Sequence, residues 1–218
     1  SGEVIKVLEY EDYKDMTNDE LYELIKKYMY VDESESTFCK SKKKAEFMER
    51  AVYVCPNCLQ VGTLKSKGNT VTCSNCKITT TVDDTMHFNK EFPVRTIKEW
   101  TNFQNKWLDT INIEDVITPV FTEKVNLHKL LKNCGKNQIL EENVSATIFA
   151  DRLQIGDNTI FYKDVSAMTV CGRKKLAFYV DDITYQITSA NNFCALKYVN
   201  IYYHYKNIKE NGDGFLGI

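Results

Sequence analysis

The spacing C-x2-C-x14-C-x2-C, formed by Cys55, Cys58, Cys73 and Cys76, constrains this chain more than any other feature of its sequence. Each C-x2-C turn puts two sulfurs on one side of a tight knuckle, with the following backbone amides aimed at them. Two knuckles on adjacent hairpins complete a tetrahedral shell of four sulfurs. The spacing therefore predicts one structural Zn2+ held by Cys55, Cys58, Cys73 and Cys76. Disulfides, an iron–sulfur centre or a redox-active dithiol are the competing readings. Protein sulfur fills every position, which leaves no site for water and marks the ion as structural, not a Lewis acid. Leu59 and Lys77 stand where glycine would be easiest, and a left-handed backbone there costs each about 1 kcal/mol. Cys39, Cys134, Cys171 and Cys194 have no paired spacing and read as buried spectator thiols, Cys194 within a terminal helix. Eight cysteines behind no secretory pattern suggest a reducing, cytoplasmic setting.

Around the cysteines the chain predicts an α+β protein. Residues 3–9 alternate like a strand, and Thr17-Asn-Asp-Glu20 is a capping box opening a helix over 18–30. Asp32 to Ser36 is an acidic loop, and Phe47, Met48, Ala51 and Val52 sketch a short helix running into Cys55. Residues 53–82 pattern as an antiparallel ribbon that turns at Lys67-Gly68-Asn69 and exits through the β-branched run Ile78 to Val82. A second capping box, Thr96-Ile-Lys-Glu99, opens a helix carrying Trp100, Phe103, Trp107 and Leu108 on one face. Both tryptophans lie there and are expected to seal the ribbon, which has little core of its own.

After Thr118-Pro119, period-two alternation dominates at Val144-Ala146-Ile148, Leu153-Ile155, Leu176-Phe178-Val180 and Ile183-Tyr185-Ile187. Turn residues separate these runs at Gly156-Asp-Asn158, Gly172-Arg173 and Asp181-Asp182. A helix over 191–207, capped by Asn191 or Asn192, closes the pattern. Its apolar face is wide and its polar stripe (Lys197, Asn200, His204) narrow, as in a helix covering the open end of a barrel. The expected architecture is thus a small four-cysteine zinc ribbon with flanking helices, followed by a PH-like antiparallel β-barrel or sandwich capped by a C-terminal helix. The boundaries are 1–31, 32–118 and 119–218.

Net charge is −2 with histidine neutral, which weighs against a general nucleic-acid binder. None of His87, His128 and His204 has a nucleophile or carboxylate at a useful offset, and no Gly-rich phosphate loop or G-x-S-x-G occurs. Lys40, Lys42, Lys43 and Lys44, and separately Arg173, Lys174 and Lys175, are candidate contacts to lipid headgroups. Solvated surface lysines are the plainer reading of both runs.

The order of features resembles the C-terminal extension of bacterial PlsC-type 1-acylglycerol-3-phosphate acyltransferases. The stretches that carry the likeness are Met16 to Asp32, Met48 to Cys58, Gly62-Thr-Leu64 with Lys67-Gly-Asn-Thr70, and Glu99 to Gln104. The match is firmest over residues 16–108 and looser over 120–208. The resemblance implies that residues 1–31 are the last strand and helix of an upstream acyltransferase domain, and that the remainder is an accessory region. Family catalysis uses an H-x4-D block; here Phe92, Asn133 and Lys209 stand five residues after the three histidines. No catalytic residue carries over, and the piece is expected to be inactive alone. Its implied setting is the inner face of a membrane, against anionic lipid, a lipid-carrier protein or another subunit. Two rival readings stay open: a zinc-ribbon module for nucleic acid or a transcription partner, flanked by Lys65, Lys67 and Lys77, and a homodimerisation module using the last helix.

Overall fold

The computed structural model describes residues 4–29, 38–131, 137–190 and 192–210. Its first elements are α1 (Tyr10–Tyr13) and α2 (Asn18–Met29), neither of which has a buried residue. The Thr17 box forms as expected: Glu20 N donates to Thr17 Oγ1 at 3.3 Å, and Thr17 N to Glu20 Oε2 at 2.8 Å. The strand expected at 3–9 does not form over the described residues 4–9. Among the described residues no strand pairs with this segment, and an unpaired strand leaves its backbone groups unsatisfied. Val4, Ile5 and Leu8 instead line an apolar groove with Ile25, Tyr28 and Met29 of α2.

The cysteine-bearing half is a three-stranded antiparallel sheet, β1 (Leu64–Lys67), β2 (Thr70–Cys73) and β3 (Thr79–Thr81), in that order. Lys67 faces Thr70, so the chain reverses at Gly68, whose φ of 63° suits glycine. A single 3-10 turn, Met48–Arg50, stands where a short helix is expected. The sheet packs on α3 (Ile97–Leu108), and Thr96 caps that helix by accepting from Glu99 N at 3.1 Å. Phe88, Phe92 and Trp100 form the aromatic centre of this half, with ring centroids 5.2–5.7 Å apart.

The second half is one seven-stranded antiparallel sheet. Its strands are β4 (Phe121–Leu130), β5 (Asn137–Ile148), β6 (Arg152–Ile155), β7 (Asn158–Phe161), β8 (Val165–Cys171), β9 (Lys175–Val180) and β10 (Ile183–Thr188). The spatial order is β7-β6-β5-β4-β10-β9-β8, so two meanders join through the pairing of first strand with last. The sheet curls: Leu153 and Ile155 of β6 share one core with Met168 of β8, near the other end of the strand order. Among the described residues β7 and β8 have no outer partners, which makes this a half-barrel. α4 (Leu196–Glu210) covers it with Tyr198, Ile201 and Tyr202.

α4 corrects three expectations. It begins at Leu196 and not near 191, which places Cys194 ahead of the helix; Asn191 itself lies outside the described residues. Its Lys197, Asn200 and His204 do not form an exposed stripe: Lys197 is 2% exposed, Asn200 8%, and His204 is half-buried against the carbonyl of Ile111. The physical reason is that α4 is covered on two sides, by the half-barrel and by the cysteine-bearing half. Asn200 Nδ2 donates to Tyr53 Oη at 2.9 Å, Cys194 Sγ donates to Arg50 O at 3.0 Å, and Lys197 Nζ reaches Glu123 Oε1 at 2.9 Å. Lys197 Nζ also lies 4.4 Å from the Phe121 ring centroid. Burial pushes the Cys194 thiol up to about 11, so it stays a donor at neutral pH.

One buried side chain holds the entry to the first knuckle. Gln104, 1% exposed on α3, accepts from Tyr53 N at 2.5 Å and Val54 N at 3.2 Å through Oε1, and Trp100 Nε1 donates to Val54 O at 2.9 Å. Gln104→Leu keeps the volume and orphans two buried N–H groups, so it is expected to lower unfolding free energy by about 2–4 kcal/mol. Urea denaturation in saturating metal reads this; a loss under about 0.5 kcal/mol would show that Gln104 is not a support.

Candidate metal centre

The four sulfurs of Cys55, Cys58, Cys73 and Cys76 come together with every ligand atom within 4.8 Å of the others. Cys55 Sγ lies 3.7 Å from Cys76 Sγ, and Cys58 Sγ lies 3.8 Å from Cys73 Sγ. A tetrahedral ion with metal–sulfur bonds of about 2.3 Å spaces its sulfurs about 3.8 Å apart, so the cluster is dimensioned to hold a metal ion. Cys55 and Cys73 are fully buried, whereas Cys58 and Cys76 form the half-buried rim.

Backbone geometry explains the convergence. In the first knuckle Leu59 N donates to Cys55 O at 3.0 Å and Cys55 N to Gln60 O at 3.1 Å; in the second, Lys77 N donates to Cys73 O at 3.0 Å and Cys73 N to Ile78 O at 2.9 Å. The two knuckles are thus copies of one another, each closing a short loop that turns both of its sulfurs inward. Closing it drives the fifth residue into the left-handed region, with φ 61° at Leu59 and 63° at Lys77. The strain expected at these two positions is present.

The thiols differ in their readiness to ionise. Burial pushes Cys55 up to about 12, against the pull of backbone N–H groups of Cys58 and Asn57. For Cys58, burial is outweighed by the Asn75 amide, 3.5 Å away, and the Gln60 N–H, and the thiol falls below its ordinary value. Cys73 also falls, burial being overcome by the Thr63 hydroxyl at 3.2 Å and by the N–H groups of Cys76 and Asn75. Cys76 is lowered first by the Ile78 N–H and then by the Asn57 side chain. A metal ion entering this shell displaces the proton on Cys55. Thr63 and Asn75, the outer partners of the sulfurs, have no motif of their own in the sequence.

The other candidates are dispersed. Lys40, Lys42 and Lys43 are exposed, whereas the Lys44 side chain is 4% exposed and bound to Asp84 at 2.8 Å. Arg173, Lys174 and Lys175 are exposed at the β8–β9 turn, well away in sequence from the knuckles. Cys171 corrects the reading of buried spectator thiols, being exposed on β8; Cys39 is half-buried, Cys194 is buried, and Cys134 lies outside the described residues. His87 Nδ1 meets Thr85 Oγ1 at 3.0 Å, and Asp83 Oδ1 accepts from Thr85 and from His87 N in an exposed turn. His128 sits in β4 with Nε2 2.9 Å from Thr188 Oγ1, and burial, aided by Lys175, lowers its pKa.

No family model matches the chain, and no curated protein matches it. Among solved structures, the chain is similar to the N-terminal PH domain of human ARAP2, at 11% identity and a TM-score of 0.34. The similarity covers 43% of this chain and 85% of that domain, and at that score it says nothing about ligand or partner.

Because the ligands must be thiolates, metal affinity is expected to fall by about tenfold or more per pH unit as pH drops below 7. Thr63→Val and Asn75→Ala, which remove outer partners of Cys73 and Cys58, are expected to weaken binding by about 10–100-fold. Competition with a chromophoric chelator measures both; affinity insensitive to pH would show that these thiols are not the ligands.

Proposed function

We propose that the cluster holds one structural zinc ion and that this chain is the non-catalytic accessory region of a phospholipid-synthesis acyltransferase of the 1-acylglycerol-3-phosphate type. The observation that carries the metal reading is the closed four-sulfur shell, whose spacing suits zinc–thiolate bonds and leaves no vertex for water or substrate. The acyltransferase reading is supported by the sequence stretches over residues 16–108. On this reading the zinc module is a ribbon, the half-barrel is PH-like, and together they position the catalytic domain of the parent polypeptide. No helix among the described residues is long and apolar enough to cross a membrane, which fits a peripheral role.

Two measurements test the proposal. Elemental analysis of the chain purified without added metal is expected to give one zinc per polypeptide; iron or no transition metal would refute the zinc assignment. Acyl transfer to 1-acylglycerol-3-phosphate is expected to be absent for this chain and present for the parent polypeptide. A parent reading frame without an H-x4-D block would overturn the acyltransferase assignment.

A further inference from the structure

We infer that the loop of residues 38–47, wrapped on the tip of the β1–β2 hairpin, is a docking surface for an anionic phospholipid bilayer, with Lys40, Lys42, Lys43 and Lys67 meeting headgroups and Phe38 and Phe47 entering the interface. This deepens the acyltransferase reading and rests on it, because an enzyme that acylates a membrane lipid must sit on its substrate's surface.

The loop is held to the hairpin tip by named contacts. Ala45 N donates to Gly68 O at 2.9 Å, Lys44 N to Asn69 Oδ1 at 3.0 Å, Gly68 N to Glu46 Oε2 at 2.7 Å, and Met48 N to Ser66 Oγ at 3.0 Å. The carboxylates nearest the loop each have a partner. Glu46 faces the Gly68 amide, Glu49 is 8% exposed and accepts from the Ser66 hydroxyl, and Asp84 takes the Lys44 ammonium. Asp83 and Asp84 stay exposed beside the loop, Asp84 paired with Lys44, whereas the exposed charges of the loop and turn themselves are positive: Lys40, Lys42 and Lys43 on the loop, with Lys67 at the turn. Among the described residues none of these four lies in an ion pair. The acidic stretch Asp32 to Glu35 precedes them in sequence and lies outside the described residues.

Two phenylalanines stand among these charges, Phe38 at 64% and Phe47 at 44% exposure. Phe47 occupies the left-handed region with φ 63°, a costly conformation for a bulky side chain, in a turn that leaves its ring outside the core. The Arg50 guanidinium lies 3.9 Å from its ring centroid and Lys40 Nζ 5.8 Å from that of Phe38. Rings beside flexible ammonium groups match a headgroup boundary, where the rings reach the acyl edge and the stems of lysine stretch back to phosphate. Lysine on a flexible stem suits a diffuse anionic surface, and the chain's net charge of −2 leaves the attraction local to this patch.

The test uses the whole chain with zinc bound, sedimented with vesicles of phosphatidylcholine alone or mixed with phosphatidylglycerol. Binding is expected to the mixed vesicles only. Each lysine contributes about fivefold to partitioning, so K42E with K43E is expected to reduce it by about 25-fold or more. Phe47→Ser is expected to reduce it about tenfold without changing its salt dependence. The charge-matched pair K124E with K163E, on the half-barrel, is expected to leave binding unchanged. Zinc content and thermal midpoint confirm that each variant is folded. Equal binding to both vesicle types, or full binding by folded K42E/K43E, overturns the proposal. An oligonucleotide shift abolished by K42E/K43E, with no vesicle binding, also overturns it and assigns the patch to nucleic acid. These outcomes are independent of acyl transfer by the parent polypeptide, so failure here refutes the docking surface and leaves the acyltransferase reading to its own test.

Discussion

Four sulfur atoms within 4.8 Å of one another, two of the pairs only 3.7–3.8 Å apart, cannot all be thiolates unless a cation lies between them. That electrostatic requirement organises the cysteine-bearing half. Its strands are three or four residues long, too short to hold a stable sheet on hydrogen bonds alone. The two knuckles converge through their sulfurs on one side, and α3 holds them from the other through Trp100 and Gln104. Left-handed Leu59 and Lys77 show the backbone cost of closing the knuckles, which the shell and the α3 contacts offset.

The second half is joined to the first through α4, and the join is polar as well as apolar. An ammonium that is 2% exposed needs a partner, and Lys197 has the Glu123 carboxylate and the Phe121 ring. Tyr198 Oη donates to the same carboxylate at 2.5 Å, and burial together with that negative charge holds the phenol protonated. On its other side α4 meets Tyr53, which leads directly into the first knuckle, so cysteine cluster and half-barrel share one helix.

The limits of reading the chain lie in particular elements. The capping residues Thr17 and Thr96 declare their helices because the hydrogen bond that starts each helix is local. The runs at β6 and the end of β5 declare themselves because one face is buried and the other is not, whereas β9 buries Leu176, Ala177 and Phe178 in succession and β10 buries Gln186 beside Ile187. β4 is hidden in the sequence because only Val125 and Leu127 among its ten residues are buried, the rest being mostly polar. β8 is hidden because it is an edge strand that exposes Val170 and Cys171 and buries little. The segment at 4–9 misleads in the opposite sense, since alternation without a partner strand has no ladder to join.

What the amino-acid sequence determined by itself was the set of cysteines that converge and the periodic elements, because knuckle spacing, capping and alternation are all interactions across a few residues. What only the tertiary structure decided was which polar residues are buried. Lys197 and Asn200 look like a solvated stripe until a second surface covers them, and Glu46 and Glu49 look like neutralising neighbours of the lysines until Gly68 and Ser66 turn them inward. Both outcomes depend on partners 17 to 147 residues away along the chain, and no local pattern encodes contacts of that range.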